Sequence, residues 1–317
     1  MIRVGPAGWI YRDWAGIAYP DPPPRGFDPL AYLAKYFQTI EVNSSFYGPP
    51  TAATAAAWVR RVEAIQEFRF TAKLWRRFTH ERDEAFTRAE VHEACRGIDP
   101  LHAADRLGAL LLQFPWSFRR TDSNRQWLDD VTSTFSRFPL VIEVRHESWN
   151  VPDFYAELVE RGIGFVNIDQ PLFKQSIGPG AAVTSQVGYV RVHGRNHADW
   201  FRKGVPVEAR YNYLYSTEEL KPWVARTRRI DKATRETYLI TNNHYRGKGL
   251  ANALMVRSML DRRKVDAPPD LVAAYADQLA PYVTRRSAGE SPRTVPEPPA
   301  ARPGSRRSSR RPSGHSR

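Results

Sequence analysis

The sequence predicts an α/β fold: a TIM-type barrel of eight parallel strands alternating with helices, over residues 1–284. Three observations predict it. Eight short apolar, strand-like runs recur along those residues, and helical signals fall between most of them. Several runs also alternate aliphatic with charged side chains. Strands separated by helices must pair mostly in parallel, because a crossover is needed to join parallel neighbours. Eight such units fit the barrel, which typically takes about 250 residues. The rival, a doubly wound open sheet, usually shows a glycine-rich first turn opening a helix. Gly5-Pro6-Ala7-Gly8-Trp9 lacks the third glycine and the helix start.

The strands are expected near 2–8, 39–44, 68–73, 108–114, 139–145, 163–168, 187–193 and 236–242. Between them, Asp28 and Pro29 supply an N-cap and a first-turn proline ahead of Leu30 to Phe37. Thr51 caps an alanine-rich segment ending near Glu63. Trp127, Val131 and Phe135 stand at helical spacing, as do Phe154, Leu158 and Val159 ahead of Gly162, a C-terminal stop. Ser216 and Glu219 form a capping box before Leu220, Trp223 and Val224. Residues 250–260 and 269–279 supply two last helices.

Strand parity points to a site. Ile40 and Val42 alternate with Glu41 and Asn43, Ile142 and Val144 with Glu143 and Arg145, and Val190 and Val192 with Arg191 and His193. Successive side chains point to opposite faces, so the aliphatic set faces helices and the polar set faces the barrel axis. An ordinary parallel strand, covered on both faces, would read as continuously apolar. Charges placed inside must be paired or ligand-bound. Such strand ends line the C-terminal rim, where barrel sites are built.

Composition sets the outer bounds. The chain has 317 residues, 42% of them hydrophobic, with nine tryptophans, which suits a packed globule. No apolar run is long enough to span a bilayer. Cys95 is the sole cysteine, so no internal disulfide or Cys-rich zinc site can form, and a reducing cytoplasm is expected. The amino terminus enters strand-like sequence at once, without a leader pattern. Of the net charge of +13, residues 285–317 carry +7, from nine arginines against two glutamates, which leaves +6 on the body. That Arg/Pro/Ser-rich tail has almost nothing apolar to bury and is expected to be disordered. It is expected either to solubilise the chain or to attract nucleic acid weakly.

Gly5-Pro6-Ala7-Gly8-Trp9 together with Glu41-Val42-Asn43-Ser44-Ser45-Phe46-Tyr47 resembles the YecE-like family, domain of unknown function 72. The resemblance continues through Phe70-Thr71-Ala72-Lys73, Leu112-Gln113-Phe114-Pro115 and Glu143-Val144-Arg145-His146-Glu147-Ser148-Trp149. Arg191-Val192-His193-Gly194-Arg195 and Asn242-Asn243-His244-Tyr245 complete it, over roughly residues 2–262. It implies a TIM-type barrel and no settled activity. Pro6 departs from the small polar residue common at that place in the family, and the tail lies outside the shared domain.

The candidate catalytic residues are Glu41, Glu143, His146 and His193. The two glutamates fit acid/base or metal-holding work, or else a structural layer that neutralises Lys73, Arg145 and Arg191. His146, His193 and His244 with Asp169 and Glu143 offer metal-ligand types. The interleaved Lys73, Arg145, Arg191 and Arg195 suit phosphate or carboxylate instead, so no metal site is assigned and no motif names a cofactor. Asn43, Lys73, Gln113, Arg145, Trp149, Asp169, Arg191, Asn243 and His244 are the candidate substrate contacts. His244 to Gly249 precedes a helix and reads either as an anion-binding loop or as a surface turn. Trp9, Trp149, Phe46 and Tyr47 are candidates for stacking on a base or sugar, with Trp149 foremost. Cys95 is expected to be structural. These residues lead to an enzyme acting on an anionic, phosphate- or sugar-bearing small molecule. The alternatives are a nucleic-acid-binding protein or repair-type metal-dependent nuclease, and a noncatalytic ligand-binding protein.

Overall fold

In the computed structural model, residues 1–198, 202, 204 and 207–284 are described. The tail expected at 285–317 lies outside them. Eight strands run parallel: β1 (Ile2–Pro6), β2 (Thr39–Val42), β3 (Arg69–Lys73), β4 (Leu107–Gln113), β5 (Leu140–Glu143), β6 (Gly164–Asp169), β7 (Val187–Val192) and β8 (Glu236–Thr241). Each segment expected to be a strand is one; β4 and β6 keep their expected length shifted by one residue, and the other six are shorter by a residue or more.

Sequence neighbours pair from β2 to β8, and β8 pairs with β1. The remaining seam, between β1 and β2, is closed by a bridge from Ala7 to Glu41 and by Gly8 N–H donating to Glu41 O at 2.8 Å. Gly5 makes that closure possible: a Cβ there would sit 1.7 Å from the Thr39 carbonyl oxygen.

Helices α1 (Pro29–Ala34), α2 (Ala52–Arg61), α3 (Arg88–Ala103), α4 (Asp122–Thr134) and α5 (Pro152–Glu160) fill the first five crossovers. Helix α6 (Thr217–Asp231) joins β7 to β8, and α7 (Lys248–Asp261), α8 (Pro269–Ala274) and α9 (Ala276–Leu279) follow the last strand. The Asp28 side chain accepts from Leu30 N and Ala31 N, Thr51 accepts from Thr54 N, and Ser216 and Glu219 form their capping box. A second box, Thr87 with Glu90, starts α3. Phe154 and Leu158 are buried as expected, but Val159 is 57% exposed. One step of about 100° along α5 turns it away from the strands.

No helix spans β6 to β7. Instead the segment 170–186 is latched to the barrel by polar side chains. Asn167 exchanges two hydrogen bonds with the Ala182 backbone, and Thr184 Oγ1 accepts from Phe165 N while donating to Ile163 O. These bonds replace the packing that a helix would have given the outer face of β6.

The apolar interior has two layers. The outer one, between strands and helices, takes Ile40, Val42, Ile142, Val144, Val190 and Val192, as parity predicts. The inner one lies inside the barrel and consists of Ala7, Ala109, Leu111, Val141, Val166, Ile168, Tyr189, Tyr238 and Ile240. Among the described residues, no helix is long and apolar enough to cross a membrane.

Candidate functional site

The polar faces of β2, β5 and β7 converge on a charge layer at the C-terminal end of the inner apolar layer. Arg191, fully buried, is its centre. Its Nη1 donates to Glu143 Oε2 at 2.6 Å and to Gln113 Oε1 at 3.1 Å, and its Nη2 donates to Glu41 Oε1 at 2.7 Å. Arg145 donates to the other Glu143 oxygen through Nε at 2.9 Å and Nη2 at 2.6 Å. The Tyr189 hydroxyl donates to Glu41 Oε2 at 2.9 Å and meets Thr71 Oγ1 at 2.8 Å. By formal charge, two guanidinium groups face two carboxyl groups, so this layer balances itself.

His193, also fully buried, joins the same network. Its Nε2 lies 3.2 Å from Glu143 Oε1, and its Nδ1 lies 3.0 Å from Asn242 Nδ2. With the amide donating, Nδ1 accepts and Nε2 carries the proton toward Glu143. Burial, helped by Arg145 and Arg191 and opposed by Glu143, pushes this imidazole down to about 3. It is therefore neutral at physiological pH. Burial pushes the Glu143 carboxyl up, but Arg191, His193 and Arg145 together hold it well below the usual carboxylate range.

Beyond this layer opens a cavity of about 540 Å³ at the strand ends, walled by Trp9, Tyr11, Tyr47, Trp58, Tyr211 and His244. The His244 ring stacks on Tyr11, with centroids 4.3 Å apart and planes 15° from parallel. Trp9 meets Trp58 edge-on at 5.3 Å. Asn43 Nδ2 donates to the Tyr11 hydroxyl at 3.0 Å, which fixes one wall. Arg61 reaches the cavity from α2 while clasped by Asp28. Ile10 and Tyr47, 74% and 72% exposed, stand at the mouth.

Lys73 and Asn242 belong to the floor. Lys73 ends β3, and its Nζ sits 4.0 Å over the Phe46 ring centre. Among the described residues, no hydrogen bond or ion pair engages that Nζ. Burial, and next Arg191, lower the amine to about 7, because Glu41 and Glu143, which pull the other way, are already committed to guanidinium groups.

Of the residues expected at the site, Glu41, Gln113, Glu143, Arg145, Arg191 and His193 are gathered in the charge layer, and Asn43, Lys73 and His244 line the cavity. Four land elsewhere. In β6, Val166 and Ile168 face inward, so Asp169 points outward, where Arg195 Nε donates to both its oxygens at 2.9 and 3.2 Å. In β8, Ile240 faces inward, which brings Asn242 to the floor and turns Asn243 outward to Asn252 and the Tyr213 carbonyl. His146 follows Val144 away from the axis, its Nδ1 accepting from Ser148 N at 3.1 Å. Trp149 is 1% exposed, stacked on Phe118, with its Nε1 donating to Phe118 O, so neither face is open to a ligand.

The loop His244 to Gly249 is also partly committed: Arg246 N–H donates to the Asp13 carboxyl, and Gly247 N–H to His244 O. Among the described residues, no group of three or more His, Cys, Asp or Glu is placed to hold a metal ion.

Several site residues escaped the sequence reading. Tyr189 was within reach of it, since it stands two positions from the inward-facing Arg191 of its own strand, whereas Asn242, one residue past β8, follows the apolar Ile240, which marks no face. Tyr11, Tyr211, Thr54 and Trp58 come from loops and from α2, where no alternation marks the face they present.

Among proteins of known sequence, the chain is 26% identical over 274 residues to the UPF0759 protein YunF of Bacillus subtilis (strain 168), covering 82% of this chain and 95% of that protein. Among solved structures, it resembles a DUF72 family protein of Thermotoga maritima MSB8, with 31% identity, a TM-score of 0.72, and coverage of 82% of this chain and 99% of that one. A DUF72 family protein of Enterococcus faecalis V583 shares the fold at a TM-score of 0.70 and 24% identity, over 82% of this chain and 96% of that one. Residues 3–274 match the model of the family described as Protein of unknown function DUF72, and the chain belongs to that family.

Proposed function

We propose that the chain is an enzyme acting on an anionic, phosphate- or sugar-bearing small molecule in the aromatic cavity at the C-terminal mouth of the barrel. One observation carries the reading. Lys73 is a buried cation on the floor of a ligand-sized cavity, beside a charge layer that is already balanced without it. A buried charge with no counterion is costly, and an anionic ligand supplies the counterion. The aromatic walls suit the apolar faces of a sugar ring, and Asn43 and Asn242 suit its hydroxyls.

In this reading Glu41, Glu143 and His193 are positioning residues. They are sealed beneath the floor and hold Arg191 and Asn242 in place, so the acid/base roles expected of them are not proposed again. The lone cysteine accords with a cytoplasmic setting, and the arginines of residues 285–317 would add weak polyanion attraction.

Calorimetric titration of the purified protein with glucose 6-phosphate, glucose and inorganic phosphate tests the proposal. The phosphorylated sugar is expected to bind saturably, and Lys73→Met to weaken it by about tenfold or more. Equal affinity of the two proteins for each compound would sink the reading.

A further inference from the structure

The same floor carries a second inference, which rests on the proposed ligand site and names the chemistry of its substrate. We propose that Lys73 is a nucleophile that forms an imine with an aldehyde or ketone carrying hydroxyls and an anionic group. Its position suits that work. Lys73 stands at the end of a barrel strand, its side chain is buried, and its Nζ rests over the Phe46 ring, beside the cavity it helps to line. Phe46 ends the short turn Ser44–Phe46, which Ser45 ties to β3 by donating to the Lys73 carbonyl at 2.7 Å. The amine thus rests on an aromatic ring tied to its own strand, at the edge of the cavity.

An amine reacts through its neutral form. A surface lysine is almost wholly protonated at neutral pH, whereas burial brings this one to about 7, so a large share of it carries a free lone pair. Among the described residues no carboxylate forms an ion pair with it: Glu41 and Glu143, whose charges favour its protonated form, are bound by Arg191 and Arg145.

The step balances without any further reactant. The Nζ lone pair forms a C–N bond to the carbonyl carbon as the C=O π bond breaks, and the oxygen takes up a proton. That oxygen then leaves as water while Nζ gives up its second proton, which yields an imine, or an iminium ion when protonated. The iminium nitrogen restores a positive charge at Lys73, and the anionic group of the substrate compensates it. The iminium then withdraws electrons from the bonds next to the former carbonyl, which serves proton abstraction at the adjacent carbon or cleavage of an adjacent C–C bond.

The full-length protein is incubated at pH 7 with sodium cyanoborohydride and either glyceraldehyde or glyceraldehyde 3-phosphate, and each lysine is then followed by peptide mass mapping. Cyanoborohydride delivers hydride to the iminium carbon and leaves a stable secondary amine. Lys35, Lys221 and Lys232 are exposed and serve as internal standards in the same molecule. Lys73 is expected to be labelled roughly tenfold faster than these standards or more, with saturation in the phosphorylated aldehyde. Its rate is expected to rise through pH 7, well below the rise at the standards, and Lys73→Arg is expected to remove that adduct alone. Labelling of Lys73 at or below the rate of the standards with both aldehydes overturns the inference. If glucose 6-phosphate binding survives that result, the ligand site stands without the imine. Fast labelling of Lys73 by both aldehydes at equal rates supports the imine and refutes the anionic selectivity of the site.

Discussion

Two cations near the barrel axis, Arg191 and Lys73, have opposite surroundings. Arg191 has carboxyl groups on both sides and an amide besides, all within 3.1 Å, and Glu41 and Glu143 hold it charged against the cost of burial. Lys73 has an aromatic face beneath it and a cavity beside it. Among the described residues, the carboxyl groups that pair with the first cation form no ion pair with the second. A closed set of charges gives rigidity and asks for no ligand, whereas a single charge left over at a cavity floor is the signature of a binding site. Counting charges at the rim does not separate the two, but following each one to its partner does.

The contrast breaks most visibly at Arg191. Arg191→Met removes the guanidinium and leaves the buried Glu41 without its ion-pair partner and Glu143 with Arg145 alone. Removing one partner of a buried pair typically costs about 3–5 kcal/mol. The loss should appear as a lower urea midpoint in an equilibrium unfolding curve, or as failure to express soluble protein. A variant that unfolds at the wild-type midpoint would show that the layer is not a closed structural unit.

Acid should reach the layer in two stages. His193 is held neutral down to about 3, against an ordinary value of 6.5. Between those values the unfolded chain binds a proton that the folded chain does not, so stability falls as pH drops from 6.5 toward 3. Glu143 is held below its ordinary 4.5. It therefore adds a stabilising contribution that is present above 4.5 and is lost as pH falls below it. Unfolding curves taken at intervals from pH 7 to 4 should slope downward, and His193→Gln should flatten the part between 6.5 and 4.5. A slope unchanged by that substitution would remove His193 as its source.

Lys73 should behave in the opposite sense to Arg191. Lys73→Met deletes a charge without orphaning a partner, so at pH 7 stability should hold or rise, by roughly 1–2 kcal/mol. The amine is about 7 when folded and 10.5 when unfolded. Across that window the unfolded chain binds the extra proton, so wild-type stability climbs with pH and the advantage of the methionine variant shrinks. Parallel melting curves at pH 7 and pH 10 measure this. A variant clearly less stable than wild type at pH 7 would mean that Lys73 has a structural partner after all.

How much of this was legible in the sequence follows from the physics of each part. Glu41, Glu143 and Arg191 were readable as one inward face because alternation along a strand is strict and the intervening Ile40, Val42, Ile142, Val144, Val190 and Val192 mark the other side. The same rule misplaced Asp169 and Asn243, where the rim was inferred from where a strand ends and not from its phase. Val166, Ile168 and Ile240 are as apolar as any helix-facing residue, so β6 and β8 give no compositional sign of which face is inside. Trp149 was misjudged for a related reason: a tryptophan just past a strand serves equally as a ligand platform or as core, and only the Phe118 stack decides it. That Lys73 has no ion pair among the described residues was beyond sequence altogether, since it depends on which carboxyl groups other chain segments had already claimed.

The smallest expected effect on stability is at the end of the chain, and it tests whether the cavity is the main seat of anion recognition. Truncation after Thr284 removes nine arginines and two glutamates but almost no large apolar group. Folding is driven chiefly by apolar burial, so the melting temperature should stay within about 1 °C of the full chain. Affinity for a long polyanion such as single-stranded DNA should nevertheless fall, and its salt dependence should flatten, because each phosphate neutralised releases counterions. Binding of glucose 6-phosphate should be untouched, since a single small anion in the cavity meets Lys73 and not the tail. Filter-binding assays with DNA at two salt concentrations, run beside calorimetry with the sugar phosphate, separate the two. If truncation left DNA affinity and its salt slope intact, the barrel mouth itself would be the polyanion surface, and a nucleic-acid substrate would displace the small molecule as the preferred ligand of Lys73.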